Sequence, residues 1–143
     1  MNRPQAQVLL VIALGVFSTL ATSEEVVVIV NPANATSTMT VEQVMQIFLG
    51  KTNNLPAGGN ASAVDLADGS PVRNDFYLKV AARSGAQVKA VWARLVFSGK
   101  DKPPKVLENS ADVKKYVAAN PNGVGYIEKS AADTSVKIVL SIP

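Results

Sequence analysis

The chain has 143 residues, of which 48% are hydrophobic and 17% are charged, so it can bury one sizeable core but is too short for two ordinary domains. Its 14 Lys and Arg against 11 Asp and Glu give a formal charge of +3, and no basic run is longer than Lys114-Lys115, which argues against nucleic acid as a partner. The absence of Cys and His excludes disulfides and removes the usual thiol nucleophile, general base and transition-metal ligands.

The first 23 residues have the pattern of a signal peptide. Arg3 precedes the apolar stretch Val8 to Ala21, and the small residues Ala21 and Ser23 predict cleavage before Glu24. A membrane anchor is the alternative, but the 14 apolar-stretch residues are fewer than the roughly 20 that a spanning helix needs. The sequence leaves open whether cleavage follows Ser23 or Ala21. We therefore expect a signal peptide at 1–23, a mature domain at 24–143 and a periplasmic location.

The first half of the mature chain predicts a strand, a helix and a second strand. Glu25 to Pro32 is a β-branched run closed by Asn-Pro, which is typical of a buried strand in a mixed or parallel sheet. A capping box at Thr40 begins a helix from Val41 to Leu49, and Gly50 stands where the C′ residue belongs. A short second strand is expected at Ala63 to Ala67.

The second half predicts helices followed by two strands. A capping box at Ser84 begins a helix that carries Trp92 on its core-facing stripe, and Ser110 is expected to cap a later helix. The stretch between these two helices is rich in Pro and Lys and is expected to be a loop. The final strands, Gly123 to Lys129 and Val136 to Ile142, are expected to be adjacent across a short turn. Together the elements predict an α/β fold, a small mixed sheet flanked by about four helices.

The remaining helix, which runs to about Ala82, places a cation where a helix usually has an anion. Ser70 is a natural N-cap residue and Pro71 fits the first helical position, so Arg73 falls in the first turn. The helix dipole disfavours positive charge there by roughly 0.3–1 kcal/mol. A bound oxyanion would reverse that cost, because Arg73 would become its countercharge. The candidate ligand-binding residues are Gly69, Ser70, Val72 and Arg73.

The alternative is that the arginine has no ligand at all. Arg73 would then point into water or pair at the surface with Asp68 or Asp75, and such a pair contributes a few tenths of a kcal/mol. No pair of carboxylates has a spacing that indicates acid and base catalysis. We therefore expect no enzyme, no catalytic residues, no metal and no cofactor.

Three segments of the chain carry a combined pattern: NPANATSTMTVEQVMQIFLGK, DLADGSPVRNDF and NPNGVGYIEKSAADTSVKIV. Together they resemble the phosphate-binding proteins that serve ABC uptake transporters, a family of periplasmic solute-binding proteins. The family pattern has an Asn-Pro entering one lobe, a helix ending in Ile-Phe-x-Gly-Lys, an Asp-Gly-Ser-Gly-Thr anion loop and a Gly-x-Gly-Tyr strand. The resemblance implies a single lobe of this kind, binding a small oxyanion, most simply phosphate, and working with an ABC permease.

The chain departs from the family pattern in length and in its anion loop. Family members are normally two-lobed, more than twice this length, and close on phosphate between the lobes. Ser70 matches the family's serine, but Pro71 and Val72 replace the glycine and threonine that follow it. Leu66 stands where the family often carries an arginine that clamps the anion, and Arg73 would supply that charge by a different geometry.

These departures support a rival interpretation, a cell-envelope interaction module that has kept the lobe and lost its ligand. The sequence also leaves open whether two copies pair as a homo-oligomer to rebuild a cleft. Asn31, Pro32 and Gly125 are expected to be structural. Tyr126 is expected to pack in its strand, with a place in a cleft as the alternative.

Overall fold

The computed structural model describes residues 24–100 and 102–143. The predicted signal peptide at 1–23 lies outside the described residues. The helices and strands follow in chain order: β1 (Val26–Val30), α1 (Val41–Phe48), β2 (Ser62–Leu66), α2 (Pro71–Ala81), α3 (Gly85–Phe97), β3 (Lys105–Leu107), α4 (Ser110–Ala119), β4 (Gly123–Glu128), a 3₁₀ helix (Lys129–Ala131) and β5 (Lys137–Ile142).

The strands form one mixed sheet in the order β3-β2-β4-β1-β5. β1 is antiparallel to both of its neighbours, whereas β2 is parallel to β3 and β4. The expected adjacency of β4 and β5 is wrong, because β1 lies between them. All of β1 is buried, and the 3₁₀ helix and the loop after it carry the chain from one side of β1 to the other.

Helices cover both faces of the sheet. Successive residues of a strand point to opposite faces. Gly125 faces α4, where an added Cβ would lie 2.6 Å from a methyl carbon of Val113, and Tyr126 faces α2, where its ring stacks on Phe76 with 3.8 Å between centroids. The α/β lobe with helices around a small mixed sheet is therefore confirmed.

Side-chain caps set the starts of three helices as predicted. Thr40 and Ser84 complete capping boxes, and the Ser70 hydroxyl accepts the N–H of the third helical residue in α2. The expectation that Ser110 caps α4 is wrong by one residue. Asn109 is the N-cap, since its side chain accepts the Asp112 N–H at 2.9 Å, and the Ser110 hydroxyl instead donates to Glu128.

Several predicted structural residues have the expected surroundings. Trp92 is buried and donates its indole N–H to the Phe48 carbonyl at 2.9 Å, which ties α3 to the end of α1. Gly50 has a φ of +72° just after α1, as a C′ residue should. The buried Asn31 side chain donates to the Val117 and Ala118 carbonyls at 3.0 Å, so it binds the C-terminal end of α4.

The short edge strand β3 was not expected from its Pro- and Lys-rich surroundings. Three residues give too little pattern to detect, and β3 forms because it pairs in parallel with the end of β2. Within the part of the chain that the structure describes, no helix combines the length and apolar character needed to cross a membrane.

Candidate functional site

The candidate site lies where β2 ends and α2 begins. β2 ends at Leu66, and the loop from Ala67 to Ser70 turns the chain into α2. In α/β folds, ligands commonly bind at the carboxyl ends of strands beside helix N-termini. The anion loop that the sequence indicates therefore occupies a location suited to binding.

The loop presents the backbone in the way the sequence predicts. Gly69 has a φ of +84°, and the Ser70 N–H donates to the Ala67 carbonyl at 3.1 Å. The Ser70 hydroxyl oxygen accepts the Arg73 N–H at 3.3 Å, which leaves its hydrogen available for another acceptor. Among the described residues, the Val72 N–H has no acceptor.

Arg73 is buried rather than solvent-facing, with 7% of its surface exposed. Its Nη1 lies 3.0 Å from an Asp68 oxygen, and its Nε lies 3.5 Å from an Asp65 oxygen. The guanidinium also lies over the Tyr77 ring, 5.1 Å from the centroid. The arginine therefore does pair with Asp68, although the guanidinium itself is buried, and it does not pair with Asp75, which binds Lys79 instead.

Asp65 is the site residue that sequence reasoning missed. This buried carboxylate accepts the Tyr77 hydroxyl at 2.6 Å, the Leu66 N–H at 2.9 Å and the Tyr126 hydroxyl. With Arg73 Nε beside it, both carboxylate oxygens of Asp65 have hydrogen-bond or ion-pair partners. The signal available in the sequence was an acidic residue inside an otherwise apolar strand, since such a residue must find partners when it is buried.

The two phenols act as fixed donors to Asp65. Burial raises the pKa of both Tyr77 and Tyr126, and the Asp65 carboxylate raises the pKa of each further. Both hydroxyls therefore keep their protons at neutral pH. Tyr126 belongs to this buried network, so the cleft position that was its alternative does not apply.

Two helix N-termini meet at a small cavity beside Arg73. The cavity, of about 310 Å³, is lined by Asp68, Gly69, Arg73 and Asn74 from the α2 side and by Gly85, Ala86 and Lys89 from α3. Of the four candidate residues, Gly69 and Arg73 line it, and Ser70 and Val72 lie outside its lining. α3 approaches closely, since a Cβ at Gly85 would lie 2.9 Å from Nη1 of Arg73.

Asp68 occupies the position between two cations at this cavity. Its carboxylate lies 3.0 Å from Arg73 Nη1 and 3.8 Å from the Lys89 ammonium, and 66% of its side chain is exposed. The arrangement already places an oxyanion, the protein's own, against the arginine. Among the described residues, no group of acidic side chains has the form of a metal site.

No protein-family model matches the sequence, and no curated protein matches it either. Solved structures do match. One, from Clostridium perfringens, is described as a phosphate ABC transporter substrate-binding protein with bound phosphate; it is 25% identical, with a TM-score of 0.67 over 81% of this chain and 44% of its own. An ABC-type phosphate transport receptor from Vibrio cholerae is 22% identical, with a TM-score of 0.64 over 81% of this chain and 45% of its own.

The chain has the fold of one lobe of a phosphate-type substrate-binding protein. The resemblance predicted from the sequence is therefore confirmed at the level of the fold. This lobe spans less than half the length of the proteins it matches, 44% and 45% of their chains. Both matched proteins are described as phosphate transport proteins.

Proposed function

We propose that this chain is an exported binding protein for a small oxyanion, with phosphate as the first candidate, and that it is not an enzyme. The observation that carries the proposal is the cavity between the N-termini of α2 and α3, with Arg73 and Lys89 at its wall. Helix N-termini favour anions, and buried or partly buried cations strengthen that preference. The fold likeness to a substrate-binding protein with bound phosphate supports the same ligand class.

Binding would proceed by exchange of one oxyanion for another. Asp68 is mostly exposed and free to swing outward, whereas Arg73 is held by Asp65 and by the Tyr77 ring. An incoming phosphate would replace the Asp68 carboxylate between Arg73 and Lys89. Gly69 lines the same cavity and would lie beside the anion, whereas Ser70 and Val72 lie outside its lining.

The affinity of the single lobe should be weak, because Asp68 competes for the same cations and Pro71 and Val72 lack the donor groups of the family's loop. A second lobe or an ABC permease, as partner, would add contacts that this chain lacks. A periplasmic location and the signal peptide at 1–23 form part of the same proposal.

Isothermal titration of chain 24–143 with phosphate and with sulfate tests the proposal. Arg73→Ala would leave Asp65 buried without its cation, so we choose Lys89→Gln, whose side chain is 75% exposed, as the variant that spares the fold. We expect Lys89→Gln to weaken phosphate binding about threefold, since an exposed ion pair contributes up to about 1 kcal/mol. Asp68→Asn should tighten binding by removing the competing carboxylate.

Lys115→Gln is the matched control, because Lys115 is exposed on α4 and does not line the cavity. It should leave the titration unchanged. The absence of heat at millimolar phosphate, in both the unaltered chain and Asp68→Asn, would overturn the proposal. A thermal midpoint of Arg73→Ala that responds to phosphate as the unaltered chain does would also count against it.

A rival function is favoured by one observation, the Asp68 carboxylate already seated on Arg73. The lobe would then be a cell-envelope interaction module that no longer needs a ligand. Capture of envelope proteins with and without phosphate separates the two functions. A partner whose capture ignores phosphate, together with no heat of phosphate binding, would favour the module.

A further inference from the structure

A second and larger cavity shares Asp68, Arg73 and Lys89 with the first, and its outer wall is apolar and exposed. This groove, of about 610 Å³, lies between α3 and the edge strand β3. Val96, Phe97 and Val106 line it and are all exposed large apolar residues, and Phe97 has 95% of its surface in contact with solvent. Side chains of this kind gathered on one face indicate a contact with something other than water.

The same part of the chain holds most of the excess positive charge. Between residues 83 and 105 there are six Lys or Arg and one acidic residue, Asp101. The rest of the chain has eight Lys or Arg and ten Asp or Glu. The formal charge of +3 therefore comes from this segment, and the remainder is slightly acidic. The six cations are Arg83, Lys89, Arg94, Lys100, Lys102 and Lys105.

Two of these cations lie next to Phe97 along the chain. Arg94 precedes Phe97 by one helical turn on α3, and Lys100 follows the turn that ends this helix. Lys89 also lines the groove, but at its inner end, where it pairs with Asp68. Lys105 is excluded, because its ammonium lies over the Tyr116 ring, 5.4 Å from the centroid. We call the surface around Phe97 the basic apolar patch, and its residues are Arg94, Val96, Phe97, Lys100 and Val106.

We infer that the basic apolar patch docks on an anionic phospholipid surface. An aromatic side chain surrounded by lysine and arginine is the composition of peripheral membrane-binding surfaces, where the ring enters the headgroup region and the cations face the lipid phosphates. The long stems of Arg94 and Lys100 let their charged groups reach the phosphates while Phe97 and Val96 enter the interface.

Lipid fits this patch better than a protein does. Protein interfaces are depleted of lysine, whereas four of the six cations of this segment are lysines. A second copy of the chain would bring two basic surfaces together, and like charges across an interface oppose association. The inner end of the groove is less suited to anionic lipid than the outer rim, since the Asp68 carboxylate lies there, paired with Arg73 and Lys89. The outer rim, not the inner end, is therefore the lipid-facing part.

Co-sedimentation of chain 24–143 with vesicles tests the inference, since these residues contain every helix and strand described above. We expect binding to vesicles of phosphatidylglycerol mixed with phosphatidylcholine, little binding to pure phosphatidylcholine, and release as salt rises. Phe97→Ser should lower the partition coefficient about tenfold or more, from the loss of one buried aromatic ring. Lys100→Gln should lower it about fivefold, the change expected for one cation near an anionic surface.

Leu78→Ser and Lys115→Gln are the matched controls, because both side chains are exposed and neither belongs to the patch. Each should change vesicle binding less than twofold. Equal binding of Phe97→Ser and the unaltered chain, or no preference for phosphatidylglycerol, overturns the inference. A dimer in size-exclusion chromatography that Phe97→Ser dissolves also overturns it, since the patch would then serve a second copy. Phosphate titration of Phe97→Ser should be unchanged, which separates this result from the anion site.

Discussion

At the scale of single residues, the position of Arg73 is explained by Asp65, and the burial of the Asp65 carboxylate is explained by Arg73. A cation in the first turn of α2 looks unfavourable from the sequence, yet it lies 3.5 Å from a buried carboxylate that needs a positive neighbour. The sequence predicted the cap at Ser70 and the position of Arg73, because both depend on neighbours within three residues. It could not predict Asp65 with Tyr77 and Tyr126, because these partners come from three different elements.

Removal of the Asp65 charge should destabilise the protein strongly. Asp65→Asn keeps the shape but gives two phenol donors a weaker acceptor and leaves Arg73 with Asp68 alone, and we expect a loss of about 3 kcal/mol in the free energy of unfolding. Asp68→Asn, at a mostly exposed residue, should cost less than about 1 kcal/mol. Urea denaturation of both variants measures the difference. Equal losses would mean that Asp65 is not the centre of the network.

The phenols of Tyr77 and Tyr126 make stability fall in alkaline solution. Their pKa values are raised in the folded protein above the ordinary 10.0, by burial first and then by Asp65. Above pH 10 the unfolded chain releases these two protons while the folded protein keeps them, so unfolding becomes more favourable as pH rises. With two such groups, the free energy of unfolding falls by about 2.7 kcal/mol per pH unit above pH 10.

Urea denaturation between about pH 9.5 and pH 11 measures this slope. Below pH 10 both states keep the protons and the contribution is fully present. Tyr77→Phe should reduce the slope by about half, although the variant begins from a lower stability. A free energy of unfolding that does not fall above pH 10 would contradict the assignment of the two hydroxyls as buried donors.

Helix starts were predictable at the scale of elements, and strand neighbours were not. Caps at Thr40, Ser70 and Ser84 act through hydrogen bonds within three residues, so the local sequence contains them. The position of β1 between β4 and β5 depends on contacts between residues more than ninety positions apart. A prediction made from turns assumes that strands consecutive in the sequence are neighbours in the sheet. That assumption fails here because an earlier strand, β1, lies between β4 and β5.

Gly125 is where α4 contacts the sheet most closely. An added Cβ there would lie 2.6 Å from Val113 and 3.0 Å from Val64. Gly125→Ala should therefore cost about 1–3 kcal/mol of stability. In combination with Val113→Ala, which opens space on the helix side, the two losses should be less than additive by about 1 kcal/mol in urea denaturation. If the two losses add exactly, the contact between the new Cβ and Val113 is not what destabilises Gly125→Ala.

At the scale of the whole molecule, the described residues form a single lobe. Length and composition predicted one α/β domain, and the fold likeness agrees. The described residues begin with Glu24, whose carboxylate accepts the Ser130 N–H at 3.2 Å, so the chain is anchored from that residue onward.

Export can be tested on the intact gene product. Mass spectrometry of the exported protein should find Glu24 as its first residue if the apolar stretch is a cleaved signal. A first residue upstream of Val8 would instead indicate a retained anchor. Recovery in the periplasmic fraction is the matching measurement for location.

Because β1 lies between β4 and β5, the sheet can be completed only after both of these later strands have been synthesised. Val26–Val30 is synthesised before the other strands, yet its partners, Val124–Glu128 and Lys137–Ile142, follow it by more than ninety residues. During that interval, the five apolar residues of β1 have both strand edges unpaired and are prone to aggregation. The sheet cannot close until β4 and β5 have been made, so a factor that shields β1 should reduce aggregation of the nascent chain.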